Sequence, residues 1–166
     1  MKTSPALLAF AVTISGCATS VHYFSKTPDL SRSGKLTFRA PVGSNVTIFA
    51  FENAADCSGS QYVTSGLWSA DQTVYVPTDR PVTFSVTVTV PGPSLVKQSR
   101  QFYSVAFAGD EMRADISFNE HRAWTTIESH SAEDGWHGAA QVMKRKEAVS
   151  LSSPNAQCEV DPAFGR

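Results

Sequence analysis

The chain reads as an all-β protein, an antiparallel β-sandwich of about eight strands. Three observations point there. First, Val82 to Val90 alternates without a break, with Val82, Phe84, Val86, Val88 and Val90 on one side and Thr83, Ser85, Thr87 and Thr89 on the other. An uninterrupted period of two marks a strand that buries one face. Second, turn-forming clusters recur at short intervals: Pro41-Val42-Gly43, Cys57-Ser58-Gly59, Pro91-Gly92-Pro93, Gly109-Asp110 and Glu133-Asp134-Gly135. Third, no segment sustains a helical period. The one helix-like stretch, Ala139 to Ala148, alternates poorly in either register.

Taken in order, the chain divides into three parts. Residues 1–16 form a leader, with one positive charge at Lys2, an apolar run from Ala6 to Ile14, and small residues at the end. That is the layout of a secretory signal. A run this short falls well below the roughly 20 residues that span a bilayer as a helix. Residues 17–34 are rich in Ser and Thr, contain Pro28 and Gly34, and read as a flexible tether. Such a coil reaches roughly 20–25 Å. His22, Tyr23 and Phe24 offer an alternative there, as a first edge strand. Residues 35–166 carry the β-sandwich domain. Leu36 and Phe38 begin the period of two, and Val46 to Phe51 is β-branched and aromatic on both faces. Further strands are predicted at Gln61–Thr64, Thr73–Val76, Gln101–Phe107, Met112–Phe118, Ala123–Glu128 and Ala140–Lys144. The Ser/Thr side of Val82–Val90 reads as a solvated outer face. The alternative is a hydroxyl surface for glycan or for a partner strand.

Ile14-Ser15-Gly16-Cys17 resembles the lipobox of bacterial lipoproteins. The resemblance implies cleavage before Cys17, a diacylglycerol on its thiol and acylation of its amine. By the sorting rule known for such lipoproteins, Ala18 in place of Asp implies the outer membrane, with the domain facing the periplasm. Each buried methylene contributes about 0.8 kcal/mol, so several acyl chains hold a small domain firmly. With Cys17 assigned to lipid, Cys57 and Cys158 remain in a disulfide-permissive compartment, and one bridge between them is expected. Closing so long a loop stabilises by up to about 4–5 kcal/mol in the chain-entropy model.

Composition excludes some functions. The formal net charge is −1, and loss of Lys2 with the leader makes it −2, so nothing favours nucleic acid as a partner. No GxSxG occurs, and neither an enzymatic activity nor a cofactor is expected. His121, His130 and His137 share one window with several carboxylates. His130 and His137 flank a turn and are the candidates for a metal-binding module, although the spacing matches no compact ligand motif. Trp124 and Trp136 are expected against the core or its rim. The basic run Lys144-Arg145-Lys146 reads as a solvated strand end.

A second local similarity concerns Ser58-Gly59-Ser60-Gln61-Tyr62, followed by Gly66-Leu67-Trp68-Ser69 and Val74-Tyr75. It resembles the SGxxY…W-S segment of membrane-bound C-type lysozyme inhibitors. That resemblance implies an inhibitory loop at Ser58, Gly59 and Tyr62. It covers only this short segment, and Ala70-Asp71 replaces the Lys-Gly of the family's second motif. The leading expectation is a non-catalytic interaction or assembly module, held at the membrane by its lipid and bound to an envelope protein. Lysozyme inhibition and metal binding are its alternatives.

Replacing Cys17 by Ala is expected to move the chain from the membrane pellet to the soluble fraction and to abolish palmitate labelling. A Cys17→Ala chain that stays with the membranes would overturn the lipid anchor.

Overall fold

Burial follows the period-two pattern. The computed structural model describes residues 22–23, 30–90, 97–119, 122–139, 141–147 and 158–160. The leader, Cys17 and His121 lie outside them. The strands are β1 (His22–Tyr23), β2 (Ser33–Arg39), β3 (Asn45–Asn53), β4 (Ser58–Leu67), β5 (Gln72–Pro77) and β6 (Val82–Val90). They continue with β7 (Lys97–Val105), β8 (Glu111–Phe118), β9 (Ala123–Ser131), β10 (Gly135–Gly138), β11 (Val142–Glu147) and β12 (Cys158–Val160). Among the described residues there is no α-helix, only a 3-10 turn at Leu30–Arg32. The helix-like stretch after Ala139 contains β11.

Two sheets form. Sheet A runs β1-β5-β2-β8-β9-β10 and sheet B runs β12-β11-β7-β6-β3-β4. Their facing sides make the core, with Leu36, Phe38, Val74, Met112 and Ile116 from sheet A against Val46, Ile48, Phe84, Val86 and Val88 from sheet B. Phe38 and Phe84, both fully buried, meet edge to face at 5.1 Å, the geometry aromatic pairs prefer.

The sandwich predicted from the sequence is present, with finer differences. Strands lengthen because backbone pairing runs past the last apolar residue, and short β1, β10 and β12 are added. Sheet B is antiparallel throughout, whereas sheet A carries two parallel pairs, β1 with β5 and β2 with β8. Between β2 and β8 the chain crosses from sheet to sheet four times, so β8 enters sheet A running in the same direction as β2. β2 begins at Ser33 and β1 pairs at Val74 and Tyr75, so pairing reaches into the segment read as tether. Gly34 lies flat under the Phe107 ring, and a Cβ there would overlap it.

One polar strut crosses the core. Gln101 of β7 points inward, and its amide donates to the Ala123 carbonyl of β9. The Tyr103 hydroxyl donates to Gln101 Oε1 at 2.5 Å and accepts the Thr125 amide at 3.2 Å. Buried polar groups need such partners, since an orphan costs about 1–3 kcal/mol. Burial pushes the Tyr103 phenol above its ordinary range, and hydrogen bonding from Thr125 opposes part of that rise.

The sign of the consequence follows from linkage. Tyr103 holds its proton more tightly folded than unfolded, so its contribution is complete below the unfolded value of about 10 and is lost as pH rises through the folded value. Urea midpoints measured at about pH 9 and about pH 11 should fall less steeply for Tyr103→Phe than for the wild type. Equal slopes would remove Tyr103 as a source of alkaline instability.

Candidate functional site

Sheet B presents a second face away from the core, and its register orders the side chains in rows. Tyr62, Phe49, Ser85 and Phe102 form an aromatic row across β4, β3, β6 and β7. Beside it lies a polar row of Ser65, Thr47, Thr87 and Arg100, extended to β11 by the 3.4 Å contact between Arg100 and Glu147. On the other side of the aromatic row come Ser60, Phe51, Thr83 and Ser104.

Half of this face is filled by the chain itself. Cys57, in the turn after β3, is bridged to Cys158 of β12 with Cα atoms 5.3 Å apart. In a flat sheet β3 and β12 would be about 19 Å apart, four steps of about 4.8 Å. The face is therefore curled, and turn 54–57 folds across it. Phe51, Phe102, Cys57 and Cys158 pack there as a second, smaller core. Arg145 is only 7% exposed and its guanidinium donates to the Ala54 and Ala55 carbonyls, the latter at 2.6 Å. Ser58 donates to Asp56 from its side chain and its amide, which fixes the turn and holds the half-buried carboxyl below its usual range.

Two sequence expectations are corrected here. Thr83 and Ser85 are 0% exposed, so this end of the hydroxyl face is not solvated. Thr83 bonds to Ser104 at 2.6 Å, while Ser85 Oγ has no partner among the described residues. Lys144-Arg145-Lys146 is likewise no solvated strand end, because its middle residue anchors turn 54–57. Neither fact is readable from a strand's own period, since each depends on what folds over the outer face.

Among the described residues, the other half of the face is open. Thr47, Phe49, Thr87, Gln98, Arg100 and Glu147 line a groove of about 570 Å³. Phe49 is half-buried and packs against Tyr62 at 5.9 Å, and Arg100 lies over the Phe102 ring at 4.6 Å. β4 borders this half as an edge strand, paired only with β3 among the described residues. The other three edges are short, at two, four and three residues for β1, β10 and β12, whereas β4 has ten. It contains no Lys, Arg, Asp, Glu or Pro, the residues that usually guard an edge. Tyr62 and Leu67 are 58% and 76% exposed along it. At its end Leu67 joins Val42, Thr89 and Phe118 around a mostly apolar cleft of about 340 Å³.

Ser58, Gly59 and Tyr62, read from the sequence as a loop, lie on β4. The hairpin turn is 54–57, and pairing with β3 resumes at Ser58. His130 and His137 are not brought together. Trp136 is the residue opposite His130, and the two rings pack at a tilt with centroids 5.2 Å apart. His137 takes the other face, with Nε2 3.1 Å from Ser129 Oγ. An even residue spacing would have faced them; the odd spacing alternates them. Trp124 and Trp136 also depart from expectation, being partly exposed on the outer face of sheet A beside Arg122 and Arg113. The buried tryptophan is Trp68. Elsewhere on that face the charges pair with each other, as Arg113 does with Glu128 at 2.7 Å and with Asp115 at 3.2 Å.

The chain matches no known family model and no curated protein.

Removing the Arg145 side chain leaves two turn carbonyls without their donor. Arg145→Ala is expected to lower unfolding free energy in urea by roughly 2–4 kcal/mol, with partial recovery in Arg145→Lys. An unchanged urea midpoint would show that the turn holds without it.

Proposed function

We propose that this protein is an envelope-anchored, non-catalytic interaction module, held at the membrane by lipid on Cys17, that takes up an extended segment of an envelope protein along β4. One observation carries the reading: β4 is the only long edge among the described strands, and apart from one bulge at Val63 it has none of the charges or prolines that usually guard an edge. A strand added there gains main-chain hydrogen bonds, while side-chain pockets select the sequence. The apolar cleft at Leu67 is such a pocket, placed to seat one large aliphatic or aromatic side chain. The exposed Tyr62 ring adds a contact of the kind that dominates binding energy at interfaces.

The test guards the edge without touching the core. Ser60 and Leu67 are both exposed, and Lys at both positions supplies the missing charges. The full chain, with a photo-crosslinker at Gln61, should capture from envelope extract one protein through one contiguous segment. Ser60→Lys with Leu67→Lys should lose that adduct while unfolding free energy shifts by only about 0.5 kcal/mol per site. An adduct of equal yield in the double variant would overturn binding at the edge.

A further inference from the structure

The open half of the concave face has a chemistry of its own, independent of the β4 edge. Its polar row sets two threonine hydroxyls, Thr47 and Thr87, in register with a guanidinium and a carboxylate, Arg100 and Glu147. Gln98 adds an amide on one side of that row, and Phe49 adds an aromatic ring on the other. The charged pair is internally neutral, so the described residues that line the groove present many donors and acceptors and no net charge. A polyanion would have to break the contact between Arg100 and Glu147, whereas a neutral polyhydroxyl chain can share it. Charged donors and acceptors make the stronger hydrogen bonds, and a guanidinium or carboxylate can bond two neighbouring hydroxyls at once. A sugar ring also has an apolar C–H face, which complements an aromatic ring.

Length agrees with a chain and not a single ring. The groove runs from Thr47 on β3 to Glu147 on β11 across three strand steps, about 14 Å at about 4.8 Å each. We propose that the groove lined by Thr47, Phe49, Thr87, Gln98, Arg100 and Glu147 binds a neutral oligosaccharide laid across the strands of sheet B.

The test titrates the isotopically labelled full chain, in a micelle of a sugar-free detergent, with cellohexaose, with chitohexaose and with an anionic galacturonate hexamer. A neutral hexamer should shift the amide signals of Thr47, Thr87 and Gln98 and leave those of sheet A in place. Gln98→Ala and Thr87→Val should each weaken that binding about tenfold, with unchanged sheet A signals showing that the fold is retained. The double variant Ser60→Lys, Leu67→Lys should bind sugar as the wild type does, so failure of the edge reading and failure of this one are separable. No shift with either neutral hexamer, shifts only with the anionic one, shifts mapping away from the groove, or undiminished binding by Gln98→Ala and Thr87→Val would each overturn the proposal.

Discussion

Phe38 of β2 and Phe84 of β6 meet at the middle of the molecule, one from each sheet and neither with any exposed surface. The rest of the architecture is arranged around that contact. A sheet with one apolar face must cover it, and the partner sheet is the only cover of matching size. Val46, Ile48 and Val86 extend the contact on one side, and Leu36, Met112 and Ile116 answer from the other. The strut from Gln101 and Tyr103 to the backbone of β9 then fixes how the two sheets are aligned, since its hydrogen bonds have direction where apolar contacts have none.

What sheet B does with its second face distinguishes the molecule from a plain sandwich. Turn 54–57 folds over that face and is held there by the Cys57–Cys158 bridge and by Arg145. The resulting small core stiffens the curl, and a stiff curl keeps the remaining half of the face open as a groove. Sheet A differs in character. Its outer face pairs its charges among themselves, through Lys35 and Glu111, Arg39 and Asp115, Arg113 and Glu128, and such exposed pairs add little to stability. On sheet B, by contrast, an uncharged edge and a polar face of different chemistry lie side by side.

Much of this was legible in the residues. The alternation of Val82–Val90 identified the central strand and its buried side, and Cys57 and Cys158 were paired by elimination once Cys17 was assigned. The lateral order of strands was not legible, because β2 beside β8 depends on contacts between residues 76 apart. Nor was the fate of Thr83 and Ser85, or of Arg145 within a basic run, because local pattern reports how a strand could be buried once, not whether something folds over its other side. For His130 and His137 the signal was present: counting through the turn shows that Trp136, not His137, faces His130. The uncharged length of β4 was equally open to reading, as ten consecutive residues without charge or proline, but it gains meaning only once β4 is known to be an edge.

The place of β2 has a consequence for the order in which the molecule assembles. β3 with β4, β6 with β7, and β8 through β10 are pairs of neighbours along the chain and can form as soon as they are made. β2 is synthesised before all of them, yet it is flanked by β5 on one side and β8 on the other, so it waits for both. Bringing Lys35 to Glu111 closes the longest of these loops, and long closures are slow because the entropy is lost before the contacts form. The first long strand is thus locked in only after β5 and β8 are in place. Until then Leu36 and Phe38 are exposed on a nascent chain, and a chaperone that shields that short stretch would protect the whole fold.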